Sequence, residues 1–553
     1  MFGCIVTRRR TGLLTVTDCL LVYGLTNKTK GTIVARTTKF ISRIPLGIVG
    51  ITTVAIVGVA GCGSDTDDSV DRATKARGGN SAVACDKRVN NTTEALTQCV
   101  TVEGVREHQA ALQAIADANN GIRTSGTPGY DASVDYVAGR MRAAGYDVNI
   151  QPFQYQTFIT LSPTVLEQIA PVPGVIENNI MSYSGSGDVT APVTVLTGLA
   201  GDPTPGCEAG DFAGYPAGTI ALISRGACPF ALKATNASNA GAVGVVIYNN
   251  APGELNGTLG NGFALDIGVT SVTQEVGQQL AATPGLQMRL KTDTFRGEAT
   301  SFNVIAESQG GDAGNVVMVG SHLDSVNTGP GIQDNGSGSA AILEVAENMA
   351  KVKPRNKLRF AWWGAEEAGL VGSTQYVASL SPEDLARITL YLNFDMIGSP
   401  NYVFFVYDGD NSDGEGAGPG PDGSAQIEKA FEAFYTQIGE PFLGTDFSGR
   451  SDYGPFIAQG IPSGGLFTGA EGIKTPDEAA RWGGVAGEQY DPCYHLACDN
   501  YDNISLHALD VNADAVAAVT LRYAMNTQEI NDVKGKGNFK PGRLPFSGPR
   551  AVE

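Results

Sequence analysis

Residues 315–324 read NVVMVGSHLD, residues 357–367 read KLRFAWWGAEE, and residues 388–398 read ITLYLNFDMIG. Each is a short apolar run, rich in β-branched and aromatic residues, that ends on a histidine or an acid, the pattern of a buried strand. Helix-like segments lie between them, so strand, loop and helix alternate. The expected fold class is α/β, a mixed β-sheet flanked by helices. In open α/β sheets ligands bind beyond the carboxyl ends of the strands. His322, Asp324, Glu366, Glu367 and Asp395 are therefore expected to meet in one crevice, joined by Asp334 from the following loop and His495 from far downstream.

Upstream, REHQAALQAIADANN after Val105 and Tyr130–Ala144 carry helical periodicity, and AGYDVNIQPFQY alternates like a strand. Residues 185–298 change texture to short β-branched runs split by Gly, Pro and Asp, which predicts a β-rich insert. Gly is 71 of 553 residues, nearly twice the usual share of about 7%, without a G-X-Y period, which fits a loop-rich globular chain. Net charge is −19, and no basic stripe is present, which argues against a nucleic-acid partner.

Ile44–Ala60 is uncharged and follows Arg36, Lys39 and Arg43, the layout of a secretory leader. Residues 1–33 read as sequence upstream of that leader. The stretch Val59-Ala60-Gly61-Cys62 resembles a bacterial lipobox, whose cysteine receives the lipid. Residues 1–61 carry eight basic residues and one acidic, so the charge of the rest is −26. Residues 62–98, polar and Gly/Ser/Asp-rich, are expected to form a flexible tether. The tail 531–553 is expected to be disordered. Six cysteines remain after Cys62, an even set in an exported chain. Proximity favours Cys85–Cys99, Cys207–Cys228 and Cys493–Cys498, one of 15 connectivities.

Imidazoles and carboxylates without a thiolate suit zinc or a similar divalent ion. So many acids in one crevice would repel one another without cations, and a metal pair is the simplest resolution. An H-x-D tripeptide or a Glu-Glu pair alone is common. Only four histidines occur in the chain, however, and two are in this set. His108 and His507 read as structural residues.

The motifs GSHLDSV (320–326), GIQDNGSG (331–338), WWGAEE (362–367), NFDMIG (393–398) and CYH (493–495) together resemble the M28 family of di-zinc aminopeptidases. GTIALISRGACPF (218–230) with the following GVVIYNN resembles the protease-associated (PA) domain. The resemblance implies a zinc-exopeptidase fold split as 99–184 and 299–530 around a PA insert at 185–298. It implies two zinc ions, one on His322 and Asp395, the other on Glu367 and His495, with Asp334 bridging. Asp324 would orient His322, Glu366 would be the general base, and Tyr494 would donate to the oxyanion. Arg450 and Phe467 would line the substrate pocket, Phe467 against a large apolar first residue such as Leu. Peptides with a free N-terminus are the implied substrates, and the lipid on Cys62 would place the enzyme on the outer face of the cell membrane. Asp510 and Asp514 match two calcium ligands of secreted relatives, but Cys99 stands where the third carboxylate would be, which weighs against calcium. The loop Asp408–Gly423 has the composition of a calcium loop without the EF-hand's bidentate Glu and is expected to be a flexible surface loop. The rival readings are another co-catalytic zinc hydrolase, such as a carboxypeptidase, and a non-enzymatic surface receptor.

Overall fold

The structure is a computed structural model that describes residue 85 and residues 87–536, apart from 197–203, 227, 252, 254, 415 and 417. The expected leader, Cys62 and residues 537–553 lie outside the described residues.

Four parallel strands form the heart of the larger sheet. They are β1 (Asp312–His322), β2 (Asn356–Trp363), β3 (Ile388–Phe394) and β4 (Ser463–Phe467). Their spatial order is β2-β1-β3-β4, with Trp363 opposite His322, Asn393 opposite Gly320 and Phe394 opposite Leu466. The chain passes from β1 to β2 on one side and then returns to β3 on the other. The order therefore reverses at β1, and His322 ends the strand at that switch point, where α/β sheets open a crevice. Residues 388–394 are buried throughout, as strands covered on both faces should be.

Helix α1 (Gly336–Met349) follows the Asp334 loop and packs on this sheet with twelve of its fourteen residues buried. Its approach is close: a Cβ on Gly338 would stand 2.2 Å from the Phe394 carbonyl oxygen. Only glycine fits there.

The expected helices near 105–119 and 130–144 are Val102–Ala118 and Pro128–Ala143. The expected strand after Gly145 is far longer than its alternation implied. It runs over Asp147–Ala170 and pairs antiparallel with Gln287–Glu307. This ribbon joins both sheets: residues 304–307 pair with β2, and residues 287–292 pair with Gly187–Leu196 of the insert. The insert adds the parallel strands Ile220–Ser224, Gly244–Tyr248 and Gly268–Val272, with its own apolar core.

Two expectations are corrected. Residues 87–98 do not behave as tether: Asn90 donates to the Asn348 carbonyl at 2.9 Å, Leu96 is fully buried in a short helix (Thr93–Thr97), and Cys99 is bonded to Cys85. At the other end, order runs past 531 to residue 536, because Ile530 is buried in the core and Lys534 donates to the Ile388 carbonyl. The apolar Leu96 and Ile530 have more to gain from the core than their polar neighbours have from solvent.

Candidate active site

The three strand ends and two loops meet in one pocket lined by His322, Asp334, Glu366, Glu367, Asp395, Tyr494 and His495. His322 Nε2 stands 3.2 Å from Asp334 Oδ1 and 3.2 Å from Asp395 Oδ1. His495 Nε2 stands 3.1 Å from Asp334 Oδ2 and 3.2 Å from Glu367 Oε2. Asp334 thus turns one oxygen to each histidine, and two triads share it. Two donors on one zinc, each about 2.0–2.1 Å from the ion at the tetrahedral angle, lie about 3.3 Å apart. The observed separations fit that spacing at both triads.

Two further observations agree with a cation. Oε1 of Glu367 is buried and has no hydrogen-bond partner among the described residues. Five acids, Asp324, Asp334, Glu366, Glu367 and Asp395, face two imidazoles, so the site is short of positive charge. The electrostatics reflect this. Burial, with Glu367 and Asp395 nearby, raises the Glu366 carboxyl well above its ordinary range. Burial disfavours the His495 imidazolium, but Glu367 and Asp334 push its pKa up to about 10. Burial likewise works against a charged Asp334, yet contact with His322 and His495 holds its carboxyl below the usual value.

The surrounding residues fix these groups. Asn335 donates to Ser321 Oγ and the Phe394 carbonyl and accepts from the Gly338 and Met396 N–H groups, tying three segments together. Ala365, Met396 and His495 all have φ between 52° and 59°, a conformation costing of order 1–3 kcal/mol each that persists where the surroundings impose it. Each is held by a neighbour. Ala365 N–H donates to Ser125 Oγ, Met396 N–H to Asn335, and the His495 carbonyl accepts from Thr328. The Cys493–Cys498 disulfide closes the short loop that carries Tyr494 and His495, and the two rings stack with centroids 3.7 Å apart.

Asp324 sits beside His322 Nδ1, its backbone carbonyl at 3.1 Å and its carboxylate at 3.7 Å. Either group can orient an imidazole. The Asp324 carboxylate also accepts the Glu366 N–H at 3.2 Å. Arg450 lines the pocket but is committed elsewhere: it donates to Glu471 at 2.6 Å and to the Tyr494 hydroxyl at 3.1 Å. Phe467 forms a wall of the pocket with Met396 and Tyr407. Asp510 and Asp514 belong to no His/Cys/Asp/Glu group of three among the described residues.

Ser451, next to Arg450 in the expected pocket lining, acts on a site carboxylate, and sequence reasoning passed over two further residues, Asp499 and Arg123. Ser451 donates to Asp395 Oδ2 at 2.6 Å. The Asp499 carboxylate accepts the N–H groups of both Gln333 and Asp334, at 2.8 and 3.0 Å. The fully buried Arg123 donates to the carbonyls of Leu323, Pro330 and Gly331. Asp499 lies four residues beyond the CYH motif. Arg123 had no local signal.

An open mixed sheet with a histidine–carboxylate pocket at its carboxyl ends defines the zinc-exopeptidase class of α/β fold. Residues 303–520 match the model of Peptidase family M28, and residues 189–280 match that of the PA domain. The chain is 48% identical over 449 residues to an "Aminopeptidase" of Pseudomonas aeruginosa, covering 79% of this chain and 83% of that one. It is 42% identical to a "Probable lipoprotein aminopeptidase LpqL" of Mycobacterium tuberculosis, covering 79% and 88%. Among solved structures, a zinc aminopeptidase from Bacillus subtilis superposes with a TM-score of 0.56 at 28% identity, covering 79% of this chain and 97% of that one. The chain belongs to peptidase family M28 and carries a PA domain.

Proposed function

We propose that the protein is a metallo-aminopeptidase that removes the N-terminal residue of peptides. The observation that carries this is the pair of triads sharing Asp334 beside Glu366, a buried acid that belongs to neither. His322, Asp334 and Asp395 would hold one zinc ion, and His495, Asp334 and Glu367 the other. Zinc in such a site supplies Lewis acidity, which activates water and polarises the scissile carbonyl.

The remaining roles fall to the chain. Glu366 takes a proton from the attacking water and passes it to the nitrogen of the leaving peptide, so the proton taken in one step is returned in the next. Asp324 fixes the backbone of that base. Tyr494, whose hydroxyl is held protonated by burial and by Asp334 and Glu367, donates to the developing oxyanion. Arg450 holds Tyr494 in place rather than touching the substrate amine, since two cations repel. The free α-amine is drawn to the acids around Glu366 and Asp395. Phe467, Met396 and Tyr407 favour an apolar first side chain such as Leu.

The domain reading becomes a leader at 1–61, a tether shortened at its C-terminal end, and a peptidase body interrupted by the PA insert at 185–298. Export, with lipid on Cys62, is supported by three disulfides and by the lipoprotein name of the M. tuberculosis relative. No helix among the described residues is long and apolar enough to cross a membrane.

The test compares leucine p-nitroanilide with its N-acetyl derivative, alongside zinc analysis of the purified protein. Turnover of the free amine alone, lost on chelation, is expected. Equal turnover of the blocked substrate would overturn the reading.

A further inference from the structure

Away from the catalytic pocket, a second histidine is buried with one ring nitrogen idle. His108 lies on the helix Val102–Ala118 and is 1% exposed. Its Nδ1 is 2.8 Å from the Tyr136 hydroxyl, a hydrogen bond. Its Nε2 has no hydrogen-bond partner among the described residues. That nitrogen is aimed at two carboxylates of α1, with Glu344 Oε2 at 3.5 Å and Glu347 Oε2 at 4.0 Å. One ligand atom from each of the three residues lies within 4.8 Å of the other two.

Sequence and packing both produce this arrangement. Glu344 and Glu347 are three residues apart on one helix, so their side chains leave from the same face. Gly104 precedes His108 by about one turn, and a Cβ there would meet Glu344 Oε1 at 2.3 Å. Glycine thus makes the room that brings Glu344 beside His108. The Glu347 side chain is 20% exposed, which leaves an ion a way in.

Each of the three groups has an outer partner. When Nδ1–H donates to Tyr136, the lone pair of the neutral imidazole sits on Nε2. Asn348 Nδ2 donates to Glu344 Oε1 at 2.9 Å, which leaves Oε2 to face His108. Arg140 donates to both oxygens of Glu347 at 2.5 Å. Metal-binding imidazoles and carboxylates are oriented by hydrogen bonds of this kind. A proton on Nε2 would instead draw an acid to about 2.7–2.9 Å. The observed 3.5 Å is nearer the spacing of about 3.3 Å between two donors on one zinc.

We propose that His108, Glu344 and Glu347 bind a zinc ion, separate from the pocket of His322 and His495, that clamps α1 to the helix Val102–Ala118. One imidazole and two carboxylates without a thiolate suit that ion. Because α1 follows directly from Asp334 and Asn335, the clamp braces the helix that leads out of the catalytic pocket. Arg140 shares Glu347 with the ion, so this site is weaker than the two proposed in the pocket and fills after them.

The test is a calorimetric zinc titration of chelator-stripped full-length protein, paired with zinc per chain after equilibrium dialysis. Wild type should take up one more zinc than His108→Ala, in a weaker final phase. Glu344→Gln keeps the side chain's shape and should weaken that phase at least about tenfold. Tyr136→Phe removes only the outer partner of His108 and should weaken it about 10–100-fold. Excess calcium should leave the phase in place, since an imidazole site prefers zinc. The difference between wild type and variants is read whatever the catalytic pocket holds, so the aminopeptidase reading can fail without this one. A final phase that is missing in wild type, unchanged in both His108→Ala and Glu344→Gln, or displaced by calcium would overturn the site.

Discussion

Replacing Asp334 with Ala should disturb both proposed metal positions at once, because its two oxygens face different histidines at 3.2 and 3.1 Å. Glu367 faces only His495, so Glu367→Ala should disturb one. Loss of an outer partner of a metal ligand already costs 10–100-fold in affinity, and losing a ligand itself should cost at least about 100-fold. With free zinc at about 100 times the wild-type Kd, each ion stabilises the fold by about 2.7 kcal/mol. Two ions give roughly 5 kcal/mol. A hundredfold weaker site retains about 0.4 kcal/mol under the same conditions. Unfolding entropy near 2.1 cal/mol/K per residue over about 450 residues makes 1 kcal/mol worth about 1 °C. Chelator should therefore lower the wild-type midpoint by about 5 °C, that of Glu367→Ala by about 3 °C, and that of Asp334→Ala by about 1 °C. The assay is differential scanning calorimetry with and without chelator, paired with zinc per chain. If Asp334→Ala still binds two zinc ions with wild-type affinity, the shared-carboxylate reasoning is wrong.

Glu366→Gln should keep its zinc and lose about 10²–10⁴-fold in kcat, since an amide cannot carry the proton; zinc loss in this variant would count against the role. The metal-free protein should lose stability as pH rises from 5 to 9. Burial lifts Asp491 to about 6 and Asp452 to about 7 in the folded state, and Glu367 with Asp334 lifts His495 to about 10 against its burial. For each group the folded state binds protons more tightly than the unfolded, so stability is highest at low pH and falls as pH climbs through the folded value. Thermal midpoints of chelated protein across that range check the sign, and a rising midpoint would refute it. Cys62→Ser should abolish lipid labelling and leave unprocessed precursor in the membrane fraction, and continued labelling would refute the lipobox assignment.

The strands of the site were legible because parallel strands buried on both faces read as unbroken apolar runs, and a His or acid at the end of such a run stands out. His322, Glu366, Glu367 and Asp395 were therefore visible one strand at a time. The ribbon at 147–170 and 287–307 was not. Its alternation breaks where the strand leaves one sheet for the other, and register shifts near Ser162 and Val165 interrupt the period. The order at 87–98 was hidden by composition, because one buried Leu96 and a disulfide outweigh a run of polar neighbours. The loop after Asp408, expected to be flexible, turns out to be anchored at its start. The buried Asp408 carboxylate accepts the N–H groups of Ser412 and Asp413, a local bond that leaves no hydrophobic trace in the sequence.

Arg123 and Asp499 explain why the site needs residues so distant from its histidines and acids. His322 and Asp334 flank an eleven-residue loop stretch with little regular structure, which burial alone would not shape. Arg123 spends its donors on three carbonyls at Leu323, Pro330 and Gly331, so one buried cation fixes both ends of that loop. Its charge also lies in reach of Asp324, Asp334 and Asp499, where it offsets part of the acid excess while its own donors go to backbone carbonyls. Asp499 does the complementary work from the disulfide loop. By accepting the Gln333 and Asp334 N–H groups it sets the carboxylate shared by the two histidines and the His495 loop in one frame. A hydrogen bond to a charged group contributes about 1.5–3 kcal/mol, comparable to the strain of the left-handed residues beside the ligands. The work is thus divided: Ser125 and Asn335 hold the strained Ala365 and Met396 directly, whereas Arg123 and Asp499 hold the loop that presents Asp334 to both histidines.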